Sequence, residues 1–197
     1  HNLLQVTNPY DDYQLGKVKG IAFKDSEGNA NFNDYEQIVL PEKLSQDLPG
    51  MAFDLMPSPS KFRTSPWHGW TNNSEVSPFY SLYTSLGCFA QCNFCMINIL
   101  NRTKSGPGVT AADSNIFRHW DPKFIINQFD SLAKMGVKNI KIADEMFVYK
   151  KDHYLELAKL LKERKYGFNL WAYSRVSTVK EGYLDLLKEA GINWLAL

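Results

Sequence analysis

From about Pro78 onward, short apolar runs alternate with longer segments whose apolar positions return every three or four residues. The runs "FYSLYTSLG", "VKNIKIA", "FNLWAYS" and "INWLAL" hold β-branched or aromatic residues and predict strands. Helical periods lie between them. In "WDPKFIINQFDSLAKMG", Ile125, Phe129 and Leu132 share one face, Asp121 is placed to N-cap, Pro122 takes the first helical position, and Gly136 stops the helix. "YKKDHYLELAKLLKERKYG" puts Tyr154, Leu157, Ala158 and Leu161 on one stripe. "STVKEGYLDLLKEAG" spaces Thr178 and Glu181 as a capping box and ends at Gly191. Strands alternating with helices across short links predict βαβ units and a parallel sheet, so the fold class is α/β, a partial (β/α) barrel with outer helices.

The first 75 residues read differently. "KVKGIAFKDSEGNANFN" sets a short apolar run before the turn formers "DSEGN" and predicts a β-hairpin. Pro41, Pro49, Pro57, Pro59 and Pro66 then exclude a long helix, which predicts an irregular connector whose aromatics pack on a neighbour. The expected division is residues 1–75 as a linker and hairpin segment and 76–197 as the α/β core. "INWLAL" starts a strand with no helix after it, and an edge this apolar is an exposed pairing template. With His1 in place of a starting Met, this leads to the expectation of a longer natural protein, with only the first half of the barrel within these residues.

Composition narrows the function classes. The 22 Lys and Arg balance 21 Asp and Glu, so no basic excess points to nucleic acid. No apolar run approaches the roughly 18–20 residues that span a bilayer, and the N-terminus has no secretory pattern. Three clustered thiols make a poor disulfide framework, which suggests the reducing cytoplasm. The sequons at Asn72 and Asn101 carry no weight in that compartment.

All three cysteines fall in "GCFAQCNFC", where Cys88, Cys92 and Cys95 have the spacing C-x3-C-x2-C. Structural cysteines seldom bury together in a loop after a strand. A zinc site wants a fourth ligand nearby, and His119 lies 24 positions beyond Cys95. An iron–sulfur cluster fits better: a short loop can hold three corners of a 4Fe–4S cube, and the absent fourth thiolate leaves one iron open to a chelating small molecule.

On this loop, with Phe94 just before the last cysteine, the chain resembles the radical S-adenosylmethionine (radical SAM) superfamily. The resemblance implies that the open iron is chelated by the amino and carboxylate groups of SAM. It further implies reductive cleavage to a 5′-deoxyadenosyl radical that abstracts hydrogen from substrate. The connector "LPGMAFDLMPSPSKFR" with "NIKIADEMF" and "NLWAYSRVSTV" extends the likeness, over roughly residues 15 to 197, to the class with an N-terminal cobalamin-binding domain. Cobalamin is expected in the full-length parent only, because these residues hold no "DxHxxG" ligand motif. Methyl transfer is one of several reactions this class allows. The resemblance also implies an electron donor such as flavodoxin or ferredoxin, and an unknown small-molecule substrate.

Further candidates follow from strand ends. Asp144 and Glu145, in "ADEMF", stand where the family often has a "GGE" turn that binds the SAM amino group; solvated carboxylates or a helix cap are the plain alternative. Arg175 can fork onto the SAM carboxylate or serve as an ordinary surface or ion-paired arginine. Phe94 resembles the aromatic near the adenine, or packs the loop. Arg102 and Lys104 form a basic loop, Trp67, His68 and Trp70 an aromatic patch, and His119 a helix-entry residue. Two other classes stay open: a non-catalytic iron–sulfur electron carrier and a zinc-binding interaction module.

Overall fold

The computed structural model describes residues 2–34, 36, 38–64, 76–92, 94–97 and 116–197. A short helix α1 (Asp12–Gly16) starts where the Asp11 carboxylate accepts the backbone N–H groups of Tyr13 and Gln14. Strands β1 (Ala22–Lys24) and β2 (Ala30–Phe32) pair antiparallel in the predicted hairpin. Asp25 holds its turn by accepting the N–H groups of Glu27 and Asn29. The Pro-rich connector forms single helical turns: 3-10 turns at Pro41–Lys43, Phe53–Leu55 and Pro59–Lys61, and α2 (Leu44–Asp47).

The core follows as β3 (Phe79–Leu82), β4 (Ser85–Leu86), β5 (Arg118–His119), α3 (Pro122–Lys134), β6 (Asn139–Ile142), α4 (Lys151–Arg164), β7 (Asn169–Tyr173), α5 (Leu184–Glu189) and β8 (Ile192–Ala196). The sheet runs β3-β6-β7-β8, every pair parallel, with Leu82 opposite Ile142 and Ile142 opposite Ala172. One face is covered by α3, α4 and α5. Leu82, Ile140, Ile142, Leu170 and Ala172 meet Phe129, Leu132, Leu157 and Leu161 there in one buried cluster. The α/β reading and the outer helices are therefore present as expected. No helix among the described residues is long and apolar enough to cross a membrane.

Helix α3 starts as the sequence indicates. Asp121 caps it by accepting the Lys123 and Phe124 N–H groups, Pro122 opens it, and Gly136 (φ +75°) follows its end. The connector joins this core: Leu44 and Phe53 are buried in the same cluster. The Trp120 indole donates to the Leu48 carbonyl at 2.8 Å, and Arg118 donates to the Val39 carbonyl at 2.7 Å.

Two local expectations need correction. "FYSLYTSLG" is not one strand. After Leu82 accepts the Ala143 N–H, the Thr84 N–H turns to the Asp144 carboxylate, which ends β3 and lets β4 pair antiparallel with β5. Thr178 and Glu181 form no capping box. The Thr178 hydroxyl bonds back to the Arg175 carbonyl at 3.0 Å, and the helical turns begin only at Glu181–Tyr183, with no side-chain cap.

Candidate functional site

Strands β3, β6 and β7 run parallel, so the segments that carry the predicted residues leave the sheet at the same end. Cys88, Cys92 and Cys95 follow β4; Asp144 and Glu145 follow β6; Arg175 follows β7. The three thiols are free and half-buried. The loop folds back on itself: Cys95 donates its N–H to the Cys92 carbonyl at 3.1 Å, and Ala90 donates its N–H to Cys88 Sγ at 3.4 Å.

Charge in this loop needs compensation. Burial pushes the Cys88 thiol up, the Ala90 N–H pulls it down, and negative charge at Cys95, Cys92 and Glu145 raises it again. Negative charges gathered along one loop repel one another. A bound metal centre reverses that balance. No group of three His, Cys, Asp or Glu side chains among the described residues converges on a single metal ion. An all-sulfur donor set spread along one loop suits a multi-iron cluster, whose corners lie apart, and the N–H to sulfur bond is of the kind that tunes such clusters. The residues present fit the group.

The two neighbouring carboxylates part company. Asp144 is fully buried. Its oxygens accept the Thr84 N–H, the Thr84 hydroxyl and the Ser85 hydroxyl, each at 2.6 Å. Burial raises its carboxyl and these bonds lower it. The Thr84 hydroxyl spends its proton on Asp144, so the His153 Nε2–H at 3.1 Å is assigned as donor to the same oxygen. His153 is then a neutral Nε2–H tautomer, in keeping with burial holding it down to about 4. Glu145 instead stays half-buried, raised by burial and lowered by Lys141. Lys141 lies over the Trp171 and Tyr173 rings at 4.8 and 4.9 Å.

Phe94 projects into solvent, 91% exposed, and Arg175 is exposed as well. Arg175 forms no ion pair with Asp144 or Glu145 among the described residues. His119 ends β5, with its ring 4.7 Å from that of His153. Trp67, His68, Trp70, Arg102 and Lys104, and the sequons at Asn72 and Asn101, lie outside the described residues. Sequence reasoning missed Thr84, Ser85, His153 and Tyr149. His153 was findable, because it stands four residues before Leu157 on the buried stripe of α4, where an imidazole needs a polar partner.

No protein-family model matches the chain, and no curated protein matches it. Among solved structures, the cobalamin-dependent S-adenosylmethionine radical enzyme OxsB with aqua-cobalamin bound is similar over 92% of this chain and 24% of its own, with a TM-score of 0.57 at 20% identity. The chain shares its fold with that part of OxsB. Apo OxsB agrees over 89% of this chain and 22% of its own, with a TM-score of 0.51 at 18% identity. TsrM from Kitasatospora setae, a radical SAM methyltransferase with cobalamin and a [4Fe-4S] cluster bound, covers 58% of this chain and 21% of its own at 21% identity. Its TM-score of 0.47 is too low to assign a shared fold. The chain thus spans about a quarter of the OxsB length. In this chain the cysteine loop follows β4, which itself comes directly after β3, the first strand of the parallel sheet.

Proposed function

We propose that this chain is part of a radical SAM enzyme of the cobalamin-dependent class, in which Cys88, Cys92 and Cys95 hold three irons of a 4Fe–4S cluster. The observation that carries the reading is the set of three free thiols on one loop, after the first strand of a parallel sheet with the OxsB fold. When bound, the cluster and SAM supply one-electron cleavage of the sulfonium and radical abstraction of hydrogen from a substrate.

The protein's own residues bind and orient. Glu145, half-buried, receives the SAM amino group; Asp144 has its oxygens already engaged and stays structural. Arg175, at the end of β7, meets the SAM carboxylate, and exposed Phe94 is available to the adenine. Residues 1–75 act as the connector from a cobalamin domain in the parent, and 76–197 as the start of the radical core. Methyl transfer to a small molecule, electrons from a flavodoxin or ferredoxin, and a cytoplasmic setting complete the reading.

Anaerobic reconstitution with ferrous iron and sulfide tests it. The expected results are a brown cluster that Cys92→Ala loses and a changed EPR signal on adding SAM. A cluster indifferent to SAM marks an electron carrier instead, and zinc uptake without iron marks a zinc module; either overturns the proposal.

A further inference from the structure

The first cysteine lies between two points at which the loop is fastened to the same short segment. Before Cys88, the Thr84 N–H and the Thr84 and Ser85 hydroxyls bond to Asp144. Immediately after it, the Phe89 ring stacks on Tyr149 with centroids 3.9 Å apart and planes 7° from parallel. Phe117, ahead of β5, contacts Tyr149 as well, at 5.5 Å.

Asp144 and Tyr149 belong to one rigid block. Met146, Phe147 and Val148 between them are buried, 5%, 2% and 1% exposed. The Phe147 N–H donates to the Tyr173 carbonyl at 3.0 Å, and the Tyr149 N–H donates to the Phe147 carbonyl at 3.0 Å. Glu145 is part of the same block. A segment held by the core therefore carries both anchors that flank Cys88. Cys92 and Cys95 lie beyond the second anchor, further along the loop.

We propose that the segment Asp144–Tyr149 is a two-point clamp on the cysteine loop, with Tyr149 the positioning residue that fixes Cys88. The ring face does the work and the phenol oxygen is dispensable, since offset stacking needs only the aromatic face. Removing the ring frees Cys88 selectively. This inference rests on the proposed radical SAM reading for its purpose, while its geometry stands without it.

The test starts from the metal-free, reduced chain. Iodoacetamide labelling of each cysteine, followed by peptide mass spectrometry, gives the ratio of Cys88 to Cys95 rates. Tyr149→Ala raises this ratio roughly two- to tenfold, the value of one aromatic stack expressed as a local opening equilibrium. Tyr149→Phe keeps the wild-type ratio. Phe89→Ala reproduces the Tyr149→Ala ratio, and the double variant adds little to either, since both remove the same stack. After reconstitution with iron and sulfide, Tyr149→Ala shows a broadened EPR signal on adding SAM, and Tyr149→Phe the wild-type one. An unchanged ratio in Tyr149→Ala and Phe89→Ala overturns the clamp, as does a Tyr149→Phe variant that behaves like Tyr149→Ala. Should Tyr149→Ala fold poorly, Phe89→Ala decides alone. Failure of the wild-type chain to take up a cluster sinks the radical SAM reading and leaves the labelling result standing.

Discussion

Thr84 gives Asp144 both of its donors: the backbone N–H reaches Oδ1 and the hydroxyl reaches Oδ2, each at 2.6 Å, with no solvent access to the carboxylate. One side chain thereby closes the ladder of β3 and fixes the start of the cysteine loop. Asp144→Asn keeps the shape and weakens charge-assisted bonds, so it should cost about 1–3 kcal/mol. Asp144→Ala strands the Thr84 N–H and two hydroxyls in the interior and should cost about 3–5 kcal/mol. Urea unfolding of both variants checks the order. Two variants within about 0.5 kcal/mol of wild type would remove the structural role assigned to this carboxylate.

Acid should weaken the fold through the two packed imidazoles. Burial holds His153 at about 4 and His119 at about 3, against an ordinary 6.5. The unfolded chain therefore takes up protons that the folded chain refuses, so stability is intact above pH 6.5 and lost as pH falls toward those lower values. Lys150 adds to the depression of both, and Asp121 partly opposes it at His153. Asp144 has the opposite sign: its raised carboxyl lets the folded form bind a proton more readily, which softens the loss at the acid end. For His153 alone the full loss, once pH falls below about 4, is roughly 3 kcal/mol. His153→Gln still offers an N–H to Thr84 and does not titrate. Its urea midpoint should fall less than that of wild type between about pH 7 and about pH 5. Equal falls in the two proteins would show that His153 titrates normally.

The parts of the fold that a sequence can display are those governed by periodicity and by local backbone chemistry. Asp121 with Pro122 marks a helix start because its carboxylate has only nearby N–H groups to satisfy. Ile125, Phe129 and Leu132 mark the buried face because one stripe must meet the sheet. The cysteine spacing was legible for the same reason, since all three donors sit in one loop. What escaped was long-range pairing. Nothing local says that Thr84 will turn to a carboxylate sixty residues on, or that Asp144 will be inside and Glu145 at the edge. The supposed cap at Thr178 failed similarly: the spacing permits a capping box, but the hydroxyl found the Arg175 carbonyl first.

Two glycines separate the effect of backbone conformation from that of space. Gly136 (φ +75°) and Gly191 (φ +91°) both adopt the left-handed region. A Cβ on Gly136 meets nothing within 4 Å, while one on Gly191 lies 2.7 Å from the Phe168 carbonyl oxygen. Gly136→Ala should cost about 1 kcal/mol, the conformational penalty alone. Gly191→Ala adds a clash with backbone that already shapes the β7 to β8 register, and should cost about 3 kcal/mol or more. Thermal melts of the pair check this, and matching losses would show that the approach to Phe168 relaxes freely.

Glu145→Gln isolates the role proposed for the half-buried member of the carboxylate pair. Glu145 is half-buried, and its carboxylate is raised by burial and lowered by Lys141 rather than held by a hydrogen-bond set like that of Asp144. Its replacement should leave the urea midpoint within about 0.5 kcal/mol of wild type. Iron and sulfide uptake should also be unchanged, because the thiols are intact. The amide removes the charge that an ammonium group would meet, so SAM titrated into the reconstituted protein and followed by EPR should bind about tenfold or more weakly. Asp144→Asn gives the complementary pattern, a lower urea midpoint with SAM binding kept in the fraction that stays folded. If Glu145→Gln binds SAM as wild type does, the amino group is held elsewhere.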